Sequence, residues 1–214
     1  NVIQDTGARD GSIDALFQNT FVQKNYGEAF FTTQCSRLNN YASANQYSDS
    51  VYLKDVYYEQ GDTSKTLFQS GDTAIWANLT IDGMFADFEG KTDGSNHWVN
   101  QYYDKHTFTI KNSNLRNANN NKIMFQGDNN KGVNLGNNQA YDYKQMSFEN
   151  NIFYNFTFSN GYTEGFLYAK QSFLNRIWFV DNYIYTGADR VVSLQTGYGG
   201  DYRQPDTWYR VENN

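Results

Sequence analysis

The fold is decided by the segment Met146-Ser147-Phe148-Glu149-Asn150-Asn151-Ile152-Phe153-Tyr154-Asn155. Strict alternation places Met146 and Phe148 on one face, as a half-buried strand requires. Asn150 interrupts the strand, because asparagine tolerates left-handed backbone and hydrogen-bonds turns through its side chain. Ile152 or Phe153 then resumes an apolar strand. The segment therefore predicts a strand, a sharp corner and the start of another strand.

The same frame recurs along the rest of the chain. Each unit reaches a corner residue that tolerates left-handed backbone or caps a turn, in the order Asn19, Asp55, Gly83, Asn112, Asn150 and Asp181. Equivalent apolar positions lie 28–38 residues apart, at Phe17, Leu53, Ile81, Ile110, Phe148 and Phe179. Self-similarity at such a period is the signature of a solenoid.

A second apolar stretch follows each corner. These stretches are Ala29–Phe31, Thr66–Phe68, His97–Val99, Ile123–Phe125, Phe166–Tyr168 and Val191–Leu194. Each coil therefore carries at least two strands with turns between them. The two longest insertions, residues 36–50 and 129–145, both follow the second stretch. In a solenoid they project from the same edge, where insertions often form the binding face.

The sequence predicts an all-β fold, a single-stranded right-handed parallel β-helix of about six coils with loop insertions on one edge. The alternative is an antiparallel β-sandwich or jelly roll, which also needs many short strands. A sandwich gives no reason for Asn, Asp and Gly to recur at one phase of the repeat. Residues 1–214 are expected to form one domain, with coils over about 12–200 and a C-terminal cap over about 201–214, inside a longer or anchored protein.

Composition supports a folded, strand-rich domain with a polar surface. Aromatic residues make up 18% of the chain, with 18 Tyr and 16 Phe, and there is one Pro; aromatic residues favour strands. The net charge of −6 argues against a nucleic-acid partner, because phosphate binding needs clustered Lys and Arg. No apolar run approaches ~18 residues, so the chain is not expected to span a membrane.

The unit Asn150-Asn151-Ile152-Phe153-Tyr154-Asn155 and the shorter Asn19-Thr20-Phe21 resemble coils of pectate-lyase-like right-handed β-helices. In particular they are similar to β-helix domains of Bacteroidetes cell-surface proteins that are encoded with polysaccharide-uptake machinery. The resemblance implies that asparagines stack from coil to coil, which gives a structural ladder of Asn19, Asp55, Asn112, Asn150 and Asp181, interrupted at Gly83. It implies little about activity, because one fold hosts many functions.

Signatures of catalysis are missing from the sequence, and we expect no catalytic residues. There is no Asp-Asp pair, Gly-His-Gly or Arg-Ile-Lys of the polygalacturonase-like kind, and no nucleophile elbow. The densest acidic cluster is Asp82, Asp87, Glu89 and Asp93. It is a weak candidate for calcium, which prefers several carboxylate oxygens, but a solvated acidic face explains it better. No cofactor is therefore expected, with calcium the one open option.

Aromatic side chains in or beside predicted loops are the remaining lead. Sugar rings present apolar faces that stack on aromatic rings, and Asn, Asp and Gln bond their hydroxyls. Aromatic clusters also characterise protein–protein interfaces. The candidate residues for binding a glycan or a partner are Trp98, Tyr102, Tyr103, Tyr141, Tyr143, Tyr198, Tyr202 and Trp208.

The favoured hypothesis is a non-catalytic glycan-binding or accessory module of a polysaccharide-uptake system. It would be exported to the cell exterior or the outer-membrane surface, with a polysaccharide or oligosaccharide and other surface proteins as partners. Two alternatives stay open. One is a polysaccharide lyase, with or without calcium, acting on an acidic glycan; the other is a structural or adhesive β-helix.

Overall fold

The computed structural model of this chain describes residues 3–5, 14–24, 29–33, 48–60, 66–70, 76–88, 99–101, 106–118, 125–128, 144–156, 167–170, 174–186, 192–195 and 208–214. Side-chain surroundings are described for residues 14–22, 50–59, 78–88, 107–118, 146–156, 177–186 and 210–214. Within the described residues the chain forms strands joined by bends, and no helix. The protein is therefore all-β over these ranges, as its sequence predicts.

The strands assemble into three sheets. Sheet 1 contains β1 (Ile3–Asp5), β4 (Ala29–Thr33), β7 (Thr66–Ser70), β10 (Val99–Gln101), β13 (Phe125–Asp128), β16 (Leu167–Lys170) and β19 (Val192–Gln195). Sheet 2 contains β2 (Asp14–Gln18), β5 (Ser48–Lys54), β8 (Trp76–Asp82), β11 (His106–Lys111), β14 (Lys144–Glu149), β17 (Leu174–Val180) and β20 (Trp208–Glu212). Sheet 3 contains β3 (Phe21–Lys24), β6 (Tyr57–Gln60), β9 (Phe85–Asp87), β12 (Asn114–Arg116), β15 (Ile152–Phe156) and β18 (Tyr183–Thr186).

Successive strands visit the three sheets in a fixed rotation. Each strand pairs in parallel with the strand three places before or after it, as β8 pairs with β5 and β11. Parallel neighbours need a crossover connection, and here the strands of the other two sheets supply it. Every strand pairing among the described residues is parallel, which excludes the antiparallel sandwich or jelly roll. This strand order is compatible with a parallel β-helix.

The core lies between the inner faces of the sheets, where alternation sends every second side chain. In sheet 2 one inner row follows the apolar positions found in the sequence, from Phe17 through Ile110 to Phe179. In sheet 3 the inner row is Val22, Tyr58, Ala86, Leu115, Phe153 and Ile184. Nearly all of these side chains are buried and belong to one contiguous cluster.

Left-handed backbone forms the corner between sheets 2 and 3. The dihedral φ is 51° at Asn19, 51° at Asp55, 75° at Gly83, 52° at Asn112, 53° at Asn150, 56° at Asp181 and 52° at Asn213. Asn, Asp and Gly are the residues that adopt this conformation at low cost. The corner N–H donates to a carbonyl of the following coil, as from Asn112 to Glu149 at 3.1 Å. One backbone conformation, at one phase of the repeat, therefore forms each of these corners.

Side chains on the outside of this corner form an outer ladder of hydrogen bonds. Asn150 Nδ2 donates to Asn112 Oδ1 at 2.8 Å, and Asn213 Nδ2 donates to Asp181 Oδ1 at 3.0 Å. At the glycine corner, Asn112 Nδ2 donates instead to Asp82 Oδ1 at 2.8 Å. A Cβ on Gly83 would lie 2.6 Å from Asp55 Oδ1, so the Asp55 carboxylate occupies the space that a side chain there would need.

A second ladder, which the sequence pattern did not indicate, runs inside the corner. This inner ladder consists of Ser113, Asn151, Asn182 and Asn214, of which the first three are buried. Asn151 Oδ1 accepts from the N–H of Ser113 at 3.0 Å, and Asn182 Oδ1 accepts from Asn151 Nδ2 at 2.8 Å. Buried backbone groups need partners of this kind, so the inner amides hold consecutive coils in register.

Candidate binding face

The aromatic residues proposed from sequence fall where the structure gives no side-chain geometry. Trp98, Tyr102, Tyr103, Tyr141, Tyr143, Tyr198 and Tyr202 lie outside the described residues. Trp208 opens β20, and its side chain also lies outside the described set. Their role in binding stays a prediction.

The acidic residues proposed as weak calcium ligands do not form a shared site among the described residues. Asp82 ends β8 and Asp87 ends β9, whereas Glu89 and Asp93 lie outside the described residues. Asp82 accepts from Asn112, and Asp87 Oδ1 accepts from Asn117 Nδ2 at 2.9 Å. Across the part of the chain that the structure describes, no three His, Cys, Asp or Glu side chains are grouped to hold a metal ion.

The outer face of sheet 3 carries two rows of side chains that face away from the core. We call it the sheet 3 face. The first row is Phe21, Tyr57, Phe85, Asn114, Ile152 and Tyr183, in consecutive register. The second row contains Glu59, Asp87, Arg116, Tyr154 and Tyr185. Both rows run across the strands because parallel pairing aligns equivalent residues of successive coils.

Most large exposed apolar side chains of the described residues lie on this face. Eight such side chains are exposed, and six belong to the sheet 3 face at 43–58% exposure: Phe21, Tyr57, Ile152, Tyr154, Tyr183 and Tyr185. The other two, Leu16 and Val211, lie on strands near opposite ends of sheet 2. Scattered exposed apolar residues are normal, whereas a contiguous set marks an interaction site.

Neighbouring rings on this face are stacked with a sideways offset. Ring centroids are 5.4 Å apart between Phe21 and Tyr57 and between Tyr57 and Phe85, with interplanar angles of 26° and 22°. Tyr154 and Tyr185 repeat the arrangement at 5.2 Å and 21°. Planes in van der Waals contact at these separations are offset sideways by about 4 Å. Each ring therefore leaves part of one face uncovered, in agreement with the exposures.

Polar groups occupy the middle of the face, on β9 and β12. The guanidinium carbon of Arg116 lies 4.9 Å from the centroid of the Phe85 ring, a cation–π contact that fixes a planar donor beside the rings. Asn114 is its neighbour on the same strand. Along one edge, Asn155 Nδ2 donates to Asn117 Oδ1 at 2.9 Å, and Asn117 donates to Asp87. This third amide ladder holds the strand ends of the face in place.

On the outer face of sheet 2, a tyrosine, a carboxylate and a lysine bond one another. The Tyr52 hydroxyl donates to Asp82 Oδ2 at 3.0 Å, and Lys111 Nζ lies 3.4 Å from the same oxygen. The hydrogen bond to Asp82 raises the pKa of Tyr52. Burial raises the pKa of Asp82, but hydrogen bonds from Asn112 and Tyr52 and the charge of Lys111 outweigh it, so the pKa is lowered.

This pairing predicts a pH-dependent contribution to stability. A lowered folded-state pKa means that ionised Asp82 stabilises the fold above the pKa of an unfolded aspartate, about 3.9, and that the contribution is lost as the pH falls through the folded-state pKa. We expect Asp82→Asn to lower the free energy of unfolding at neutral pH by up to about 1 kcal/mol, since solvent screens the site. Urea unfolding of both proteins across a pH series measures the difference. A gap that persists unchanged into strong acid contradicts the assignment.

A shallow cavity of about 290 Å³ lies on the same outer face, beginning at Lys111 and continuing toward β20. Its lining includes Trp178, Lys111, Glu149, Asp181 and Arg210. Arg210 Nη2 is 2.8 Å from Glu212 Oε2, and Asp181 accepts from Asn213. Among the residues that the structure describes, Trp178 is the one aromatic side chain in this lining, which makes the cavity a weaker candidate for stacking a ligand than the sheet 3 face.

The sequence predicts binding aromatics in loops, and it therefore does not predict the sheet 3 face, whose aromatic residues lie on strands. The available signal was the residue two positions after each corner, which is Phe21, Tyr57, Phe85, Ile152 or Tyr183 in five of the six coils. Its outward direction follows once the next residue is assigned to the core.

No family model, curated protein or solved structure matches this chain. Among the described residues no helix is long and apolar enough to cross a membrane.

Proposed function

We propose that this chain is a non-catalytic glycan-binding module on a right-handed parallel β-helix of about six coils, and that the sheet 3 face is its binding surface. The observation that carries the proposal is that, among the residues whose side chains the structure describes, six of the eight large exposed apolar ones lie on one face of one sheet. Right-handed winding is the general rule for parallel crossovers.

The chemistry of the face suits sugars. Partly uncovered rings, such as those of Tyr154 and Tyr185, offer apolar surface to the C–H faces of a pyranose. Arg116 offers donors, and Glu59 and Asp87 offer acceptors, for the hydroxyl groups. Such a mixture of rigid aromatic and planar polar side chains provides contact area at a small cost in side-chain entropy.

Support for binding rather than catalysis comes from the exposure of this surface. Six large side chains of the face are 43–58% exposed to solvent, whereas catalytic sites surround the reacting bond with groups that exclude water. A lyase would need a base and a charge-stabilising group converging on one point, whereas on this face Arg116 packs over Phe85 and Asp87 accepts from Asn117. Export to the cell surface and association with polysaccharide-uptake proteins belong to the same proposal, and their support is the sequence resemblance.

The test starts from a glycan array that identifies a bound glycan, followed by calorimetry with that glycan. We expect the double variant Tyr154→Ala/Tyr185→Ala to bind it at least about tenfold more weakly, a loss of about 1.4 kcal/mol. Both side chains are exposed, so the far-UV circular dichroism should be unchanged.

Tyr52→Ala is the matched control, because it removes the same type of ring from the outer face of sheet 2. Its affinity should stay within about twofold of wild type. If the wild-type protein binds no glycan, the proposed function is wrong. If Tyr52→Ala weakens binding and the double variant does not, the glycan binds elsewhere on the molecule.

A further inference from the structure

We infer that the sheet 3 face binds an uncharged, linear polysaccharide lying along the axis of the solenoid, across the strands, with β12 at its centre. This inference rests on the proposed function and adds the class of ligand and its direction. It follows from the dimensions of the face, from its charges, and from the division of its rings into two groups.

The dimensions require an extended ligand. Six strands stacked at about 4.8 Å give the face a length of about 24 Å, while the two outward rows are only about 7 Å apart along each strand. A compact ligand would cover a fraction of this strip. A linear chain of sugars laid along the rows covers all of it.

The rings form two groups separated by a polar strand. Phe21, Tyr57 and Phe85 form one group on the first row. Tyr154 and Tyr185 form the other on the second row, beside Ile152 and Tyr183. Between them β12 presents Asn114 and Arg116 and no ring. A chain that stacks on both groups must place a hydroxyl-rich segment over β12.

The guanidinium of Arg116 is positioned to hydrogen-bond a sugar that lies over β12. The guanidinium carbon lies 4.9 Å from the centroid of the Phe85 ring, which places the group at the boundary between the first ring group and β12. Arginine stacked on an aromatic ring keeps in-plane N–H groups for a hydrogen-bonding partner. The hydroxyls of a sugar placed over β12 are within the reach of such a side chain.

Charge selects against an acidic chain. Glu59 and Asp87 occupy paired positions on adjacent strands, followed in register by Arg116. The described ionisable groups of the two rows, leaving aside the tyrosines, thus comprise two carboxylates and one cation, and the whole protein carries a net charge of −6. A polyuronate would bring further negative charge beside these carboxylates, at a separation that salt does not fully screen. Uncharged hydroxyls instead donate to them.

A second copy of the protein is the rival occupant of an apolar face. The net charge of −6 opposes the approach of two identical chains. In addition, sheet-on-sheet contacts in proteins are formed by interdigitated apolar residues. On this face Asp87 and Arg116 instead occupy the two middle strands, and Glu59 lies beside Asp87 on β6. The face is therefore better suited to a hydroxylated ligand.

The experiment uses the intact chain and three series of probes, each from disaccharide to hexasaccharide. Two are neutral, β-1,4-linked glucose and β-1,4-linked xylose; the third is α-1,4-linked galacturonate. We expect at least one neutral series to bind, with affinity rising with length until the probe spans both ring groups. The galacturonate series should bind at least about tenfold more weakly at low salt, where charge repulsion is least screened.

Two variants separate charge from contact. The double variant Glu59→Gln/Asp87→Asn keeps hydrogen-bonding side chains and removes both charges. It should reduce several-fold the ratio of the affinity for neutral probes to the affinity for galacturonate probes. Arg116→Ala should weaken the neutral probes that cover β12 and leave the disaccharide nearly unchanged. Light scattering of wild-type protein over a range of concentrations reports the rival self-association.

The outcomes are distinguishable. If none of the three series binds and the glycan array is also blank, the proposed function itself is wrong. If galacturonates bind more tightly than both neutral series, or affinity is independent of probe length, the present inference is wrong and a glycan-binding function survives. A dimer that Tyr183→Glu dissociates overturns the inference in favour of a self-association face.

Discussion

Replacing Phe148 with alanine is expected to lower the free energy of unfolding by about 3–5 kcal/mol, the usual cost of removing a buried phenylalanine. The side chain is fully buried. Its ring centroid lies 5.2 Å from that of Phe179, 5.6 Å from Phe108 and 6.4 Å from Phe153. It thus joins both neighbouring coils of sheet 2 to the inner row of sheet 3, and a cavity there removes contacts in three directions.

Urea unfolding followed by circular dichroism measures this effect. Ile152→Ala is the matched control, because it shortens an apolar side chain on the same coil that is 43% exposed, and we expect a loss below about 1 kcal/mol. Should the alanine variant fail to fold, Phe148→Leu provides a smaller cavity and a graded loss. Equal losses from Phe148→Ala and Ile152→Ala would contradict the inward assignment.

The parallel strand order was predictable because its determinants are local in sequence. A coil turns where the backbone is left-handed, and only Asn, Asp and Gly adopt that conformation cheaply. Their recurrence from Asn19 to Asp181 was therefore readable, as were the strands of sheet 2 that precede them. The bounds of the strands of sheet 3 were harder to predict, because β9 and β12 have only three residues each. Each of these strands buries a single side chain, Ala86 in β9 and Leu115 in β12.

The candidate binding face was not predicted, because aromatic residues point both inward and outward in adjacent positions. Tyr57 is exposed and Tyr58 is buried; Phe153 is buried and Tyr154 is exposed. The inward-facing and outward-facing positions of these strands therefore carry the same residue types, and hydropathy does not separate them. The direction follows from register, which the corner residues set, and so the face becomes visible only when all six strands are aligned.

The inner ladder could not be predicted from the sequence, because its residue type is not periodic. Its positions carry Thr20, Val56 and Met84 in the first three coils and polar Ser113, Asn151 and Asn182 in the later ones. A residue type that changes from coil to coil leaves no periodic signal. In addition, Asn150 and Asn151 are adjacent and identical in type, and sequence does not say which one faces inward.

Replacing Asn151 with leucine, which has a similar shape, is expected to lower the free energy of unfolding by about 3 kcal/mol, because buried polar groups lose their partners. The N–H of Ser113 loses its acceptor at 3.0 Å, and the carbonyl of Ile110 loses its donor at 2.9 Å. Asn182 Oδ1 loses the Nδ2 donor of Asn151, at 2.8 Å. Urea unfolding measures the loss.

Asn150→Gly is the control one position away. Gly tolerates the φ of 53° at that corner, and the variant loses an exposed hydrogen bond to Asn112, so we expect a loss below about 1 kcal/mol. Asn151→Ser provides the sharper comparison, since Ser113 Oγ already accepts from the N–H of Met84 at 3.0 Å in the coil before. A serine at 151 should therefore restore an acceptor for Ser113 and recover part of the stability. If leucine, serine and the Asn150→Gly control cost the same, the coils are held in register by their apolar core and not by the inner amides.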